Sequence, residues 1–178
     1  QINIQEGDGS ISKYSIDEGL VFIEDTYFDI FSVDWISGSP EYAMEAPNSA
    51  VLSAGMAEKF FGFDREQAYK AVGRSINLSN RVDFEVTGVI QDPPADSGYP
   101  FTILLSYESQ QHINDYYEEG TSWNSTSSST NTYVLVGDDF DEKAFEDELL
   151  AFVEKHQGEG ATDNDQLLHH PFPKSLSL

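Results

Sequence analysis

The chain of 178 residues contains no cysteine. That excludes disulfides and thiolate metal sites. It fits an extracytoplasmic setting, where a stray thiol is a liability, and is compatible with a cytosolic one. Bases are scarce: six lysines and three arginines stand against 32 acids, a formal net charge of -23. Such a surface repels phosphate backbones, which excludes nucleic acid as a partner, and it disfavours anionic lipid headgroups for the same reason. No apolar run approaches the roughly 20 residues that would span a bilayer; the apolar stretches are strand-sized, as at Phe101–Leu105. No secretory signal pattern opens the chain. The first residue is Gln1 rather than Met, so the chain is expected to be a processed or excised piece of a longer protein. The acids are spread along the sequence rather than massed in a tail. A dispersed acidic excess with so few lysines predicts a salt-adapted protein, whose self-repulsion is screened at high ionic strength.

What is present is ample apolar material, 39% of residues with 13% aromatic, enough for one packed domain or two small lobes. Residues 1 to 19 read as a short hairpin around Gly7-Asp8-Gly9 or as ragged strands, and Leu20-Val21-Phe22-Ile23 as a strand. Asp25-Thr26 can cap a short helix carrying Phe28 and Phe31 on one face. Ala50-Val51-Leu52 reads as a strand. Ser53 should cap the helix that follows, and Gly62 should stop it. Asp64 is placed to cap another short helix ending before Gly73. Ile76–Leu78 and Val82–Ile90 predict a hairpin turning at Ser79-Asn80-Arg81, with Val82, Phe84 and Val86 pointing one way. Past a proline-rich stretch the pattern becomes β-α-β-α. Phe101–Leu105 is a strand, and Ser106 caps a helix ending near Gly120. A polar, mobile loop follows, then a strand at Thr132–Val136. The last helix starts at a capping box formed by Asp139 and Glu142. The fold class is therefore α+β.

Enzyme chemistry finds little support. The histidines, His112, His156, His169 and His170, lack the spacing of a zinc site. The pair His169-His170 reads as part of an exposed tail rather than a metal site. Ser53, Ser106 and Ser125 lack a nucleophile elbow, and no glycine-rich phosphate loop is present. Asp138, Asp139 and Asp141 are explained by a helix start. Asp163-Asn164-Asp165 resembles half a calcium loop without its glycine. No catalytic or metal residue is assigned. The aromatics Phe28, Phe31, Trp35 and Phe63 are the candidate contact residues for an apolar ligand or partner; core packing is the plainer reading.

Three phrases, in this order, carry a resemblance: "VFIEDTYFDIFSVDWISGSP", "PNSAVLSAGMAEKFFG" and "VGRSINLSNRVDFEVTGVIQDPPADSGYPF". Together they resemble the MacB-like periplasmic core domain of MacB/FtsX-type ABC transporter permeases, from about Leu20 to Ser109. "NTYVLV" and "DEKAFEDELLAFVEKH" extend the likeness to about His156. The chain departs from the family at Asp64 to Gly73, which is longer and more helical here. It departs again in its short lead-in, where one strand-helix unit is expected to be missing. The resemblance implies two lobes: a porter-like β-α-β-α lobe, 1 to 19 plus 93 to 170, and an inserted strand-rich sabre-like lobe with short helices, 20 to 92. Residues 171 to 178 would form a tail toward a membrane helix. Asp92, Pro93, Pro94, Gly98 and Pro100 would make a stiff inter-lobe connector.

The resemblance also implies a role without catalysis, on the periplasmic side of the bacterial inner membrane. The domain would transmit ATP-driven motion in a membrane-embedded permease and contact substrate or partner proteins. It would hold no cofactor, because ATP and magnesium bind a separate cytoplasmic ATPase. The implied partners are a second permease copy in a dimer, that ATPase, and a periplasmic adaptor or outer-membrane channel. The alternative reading is a free-standing extracytoplasmic ligand-binding module with an aromatic groove.

Overall fold

The structure, a computed structural model, describes residues 1–113 and 130–157, which fall in two separate compact units divided between these ranges. In the first unit eight strands form one mixed sheet. They are β1 (Ile2–Gln5), β2 (Ile11–Tyr14), β3 (Leu20–Ile23), β4 (Trp35–Ser37), β5 (Ser49–Ser53), β6 (Ser75–Leu78), β7 (Val82–Ile90) and β8 (Ile103–Ser106). The order is β2-β1-β6-β7-β5-β8-β3, and β4 adds to the far half of β7. β5 runs parallel to β7 and β3 parallel to β8; the other pairs are antiparallel.

Period-two alternation splits the core into two clusters, one on each face of the sheet. Ala50 and Leu52 of β5, Ile103 and Leu105 of β8, and Phe84 and Val86 of β7 join the larger cluster. Val51 and Leu104, their neighbours in sequence, join the smaller one with Ile23 and Ile90. Helix α3 (Ala54–Phe61) and the 3-10 helix Arg65–Ala71 supply Ala57, Phe60, Ala68 and Ala71 to the larger cluster. The short helix α1 (Tyr27–Ile30) adds Tyr27 and Phe28 to the smaller one; Ala43 of α2 (Pro40–Ala43) and Met44 just after it are part of that cluster. Fully burying one side chain such as Phe84 is worth about 1.5–3 kcal/mol, so this alternation is the main source of the unit's stability.

The expected alternation of β7 holds as far as Val86 and then shifts. Ala50 stands opposite Val86 but Val51 opposite Gly88, so Thr87 is an extra residue, a β-bulge. The Thr87 hydroxyl donates to the carbonyls of Ala43 (2.7 Å) and Ala50 (3.1 Å). Because of the bulge, Gly88 faces Trp35. A Cβ on Gly88 would stand 2.6 Å from the Trp35 ring, so only glycine leaves room for it.

The helix ends follow the capping expectations at Ser53, whose hydroxyl accepts the Met56 N–H (3.3 Å), and at Gly62, which takes a left-handed φ of 68°. The turn 79–81 also stands where expected, with Ser79 and Asn80 both at positive φ. Other expectations need correction. Thr26 makes no side-chain cap bond, because its own backbone is already helical. The short helix expected after Asp64 is the 3-10 helix Arg65–Ala71, and the Asp64 side chain makes no cap bond to it. Ser106 precedes a 3-10 turn, Tyr107–Ser109, then the single turn of α4 (Gln110–Ile113); the rest of the expected helix and most of the polar loop lie outside the described residues.

The second unit is described on its own. It contains α5 (Glu142–Gln157), as expected, but its cap is Asp141 rather than Asp139: the Ala144 N–H donates to Asp141 Oδ1 at 3.0 Å. The expected strand at Thr132–Val136 is absent; these residues are exposed and make no described ladder. A strand has no meaning without a partner edge, and propensity alone does not supply one.

The expected partition into lobes at residues 92 and 93 does not coincide with a break in the sheet. β1 and β2 are tied to β6, and β8 lies between β5 and β3. Residues 93–100 therefore link two strands that share the neighbour β5, and the division into units falls after residue 113.

Candidate functional site

The proline-rich stretch begins where β7 ends. The Gln91 N–H donates to the Asp34 carbonyl (2.8 Å), prolonging the exit from β7. Asp92 then turns to the start of α3. Its Oδ1 accepts the Gly55 N–H at 2.9 Å, it is hydrogen-bonded to the Ser53 hydroxyl, and its Oδ2 pairs with Arg65 Nη1. Arg65 Nε also lies 3.6 Å from Glu58 Oε2 on α3. Burial alone would raise the Asp92 carboxyl. Hydrogen bonds from Ser53 and Gly55, with the charge and hydrogen bond of Arg65, outweigh it and hold the group below the usual carboxylate range.

Helix α3 thus carries two acceptors at its start, one from its own Ser53 and one from a residue 37 positions on from Gly55. Gly55 makes the second possible, because a Cβ there would sit 2.9 Å from Asp92 Oδ1. Sequence reasoning placed Asp92 in the connector but missed its bond to α3. The only local signal was a glycine in the first turn of a helix, where its propensity is poor.

The far end of the stretch is held by rings and strands. Pro94 O accepts the Ser97 N–H (3.0 Å), which closes a turn. Tyr99 packs on Phe31, with ring centroids 5.3 Å apart, and on Phe101 at 6.2 Å. Phe31 stacks on Tyr27 (4.6 Å), Tyr27 meets Phe28 edge-on (5.3 Å), and Phe28 meets Trp35 (5.0 Å). Burial pushes the Tyr27 hydroxyl up to about 12, with a further rise from Tyr99 beside it. Thr102 and Ile103 then both donate their N–H groups to the Gly19 carbonyl.

Of the four aromatic candidates, three come together: Phe28, Phe31 and Trp35. Phe31 is 2% exposed and the other two are half-buried. Phe28 and Trp35 pack on each other and on the smaller core cluster, and Phe31 packs on Tyr27 and Tyr99. Phe63 belongs to the other face of the sheet, against Phe61 at 6.0 Å and beneath the Arg74 guanidinium at 5.7 Å. One groove cannot include all four. Asp92, Pro93, Pro94, Gly98 and Pro100 lie in the segment between β7 and β8, where Gly98 and Pro100 are exposed.

Among the described residues no group of three or more His, Cys, Asp or Glu is placed to hold a metal, and no helix is long and apolar enough to cross a membrane. His169, His170 and the Asp163–Asp165 segment lie outside the described residues.

No curated protein matches the chain. Among solved structures it is similar to a domain of a permease protein from Porphyromonas gingivalis, with a TM-score of 0.55 at 16% identity, covering 90% of this chain and 70% of that one. The periplasmic region of MacB from Actinobacillus actinomycetemcomitans gives a TM-score of 0.47 at 15% identity, covering 78% and 57%. At such identities the first likeness speaks for the fold, a mixed sheet with short helices. The description "MacB-like periplasmic core domain" matches residues 4–152, most of the chain, and this match establishes that the chain belongs to the MacB-like periplasmic core domain family.

Proposed function

We propose that this chain is the periplasmic-side domain of a MacB-like ABC transporter permease in a bacterial inner membrane, and that it works without catalysis of its own. Its role is to carry motion, generated by ATP hydrolysis in a cytoplasmic ATPase, to substrate or partner proteins outside the membrane. The permease acts as a dimer, with a periplasmic adaptor or outer-membrane channel as a further partner. The observation that carries this reading is the family match through residues 4–152. The single sheet adds support: a load entering through β3 passes to β8, β5 and β7 through backbone hydrogen bonds. A hydrogen-bonded sheet deforms little under such a load, which suits transmission.

The domain itself brings no cysteine to compete for the label. A single cysteine at Ile11, on the outer strand β2 and exposed, is spin-labelled in the full permease in membranes with its ATPase. The distance between labels on the two copies should change between ATP-bound and nucleotide-free states. One unchanged distance distribution, in a complex that hydrolyses ATP, would sink the reading.

A further inference from the structure

The connector is anchored differently at its two ends. At its start the anchor is electrostatic: Asp92 holds the Gly55 N–H, the Ser53 hydroxyl and Arg65, and Arg65 also faces Glu58. At its end the anchor is apolar and backbone-borne: Tyr99 against Phe31, Phe101 against Tyr99, and Thr102 and Ile103 bonded to Gly19. Between them, Pro93 and Pro94 have no N–H to give, and the described backbone bond of residues 93–98 is the turn from Ser97 to Pro94.

We infer that residues 92–98 form a strap with a releasable first buckle, in which Asp92 and Arg65 hold the connector on the start of α3 while the sheet stays intact when they let go. The groups that face the Asp92 carboxylate are Ser53 and Gly55 at the junction of β5 and α3, and Arg65 on the 3-10 helix, with Glu58 of α3 competing for the same guanidinium. Two agents should open the buckle: protonation of the carboxylate, and salt that screens the Arg65 pair. The apolar end has no charged pair for either agent to act on: it is held by ring contacts and backbone hydrogen bonds. Acid or ionic strength therefore frees one end of the strap while the other end stays fixed. The inference does not depend on the transporter reading.

Hydrogen exchange read by mass spectrometry on the 178-residue chain tests it, with Arg65→Gln and Asp92→Asn beside the parent. Arg65 is largely exposed, so Arg65→Gln leaves the fold in place. Asp92→Asn keeps an acceptor for the Gly55 N–H but removes the charge. At pH 7 both variants should exchange about tenfold faster at Gly55 and at Ser97, the hydrogen-bonded amide of the strap, in keeping with the loss of a charge-assisted bond. The parent should behave likewise in 1 M KCl, while amides of β5 and β8 keep their protection. Unchanged exchange at Gly55 and Ser97 in both variants would overturn the inference. So would a loss of protection spreading to β5 and β8 in Arg65→Gln, which would make the pair a support of the whole fold.

Discussion

Asp92 shows how one carboxylate can serve two elements distant in sequence. Asp92→Ala removes an acceptor from the start of α3 and leaves Arg65 with Glu58 alone; a loss of about 1–2 kcal/mol is expected from urea unfolding. The sign with pH follows from the depressed carboxyl. Its contribution is fully present above the unfolded value of about 3.9 and is lost as pH falls through the lower folded value. The gap between parent and Asp92→Ala should therefore be constant near neutrality and close in acid. A gap that stays open at pH 2 would refute the assignment. Gly55→Ala should destabilise too, although alanine is the better helix former, because its Cβ collides with Asp92 Oδ1. Combined with Asp92→Ala the collision disappears. A double-mutant cycle should then show strong non-additivity.

Among the elements, α3 and β7 were legible for different reasons, and only partly. Ser53 and Gly62 mark the ends of α3 through local chemistry, so the sequence shows them without knowledge of the fold. Ser53→Ala should cost about 1 kcal/mol. The alternation Val82, Phe84, Val86 likewise states which face of β7 is buried. The bulge at Thr87 was not legible, because the hydroxyl's partners Ala43 and Ala50 come from elsewhere in the chain. Nor was it visible that Phe63 leaves the company of Phe28, Phe31 and Trp35, since the face of the sheet is decided by strand pairing. Thr132–Val136 has strand composition and no strand; Asp139 has a capping residue's chemistry, two positions before the cap that forms. Gly88→Ala tests the bulge. It should displace the Trp35 ring and shift its fluorescence, with a loss of roughly 1–3 kcal/mol from overpacking; an unchanged spectrum and stability would mean that the ring has room.

At the scale of the whole molecule, a net charge of -23 repels itself in dilute buffer. KCl at molar concentration should raise the unfolding temperature by several degrees, while an uncharged osmolyte at equal water activity should raise it less. Equal shifts would remove the case for salt adaptation. The two core clusters, by contrast, are indifferent to charge and account for the legible part of the architecture, its α+β class. Sheet order was not legible, because motif order along a chain says nothing about which strands meet. That order has a kinetic consequence. The β6–β7 hairpin closes over three residues, whereas Gly19 and Thr102, which bring β3 to β8, are 83 residues apart. Closing the longer loop costs more entropy before any contact repays it. The sheet should thus assemble from β6 and β7 outward, with β3 docking last. Substitutions in β3 should speed unfolding and leave the folding rate nearly untouched, while Phe84→Leu in β7 should slow folding. The edge strand β3, beside β8, would then be the last part of the sheet to arrive and the first to leave.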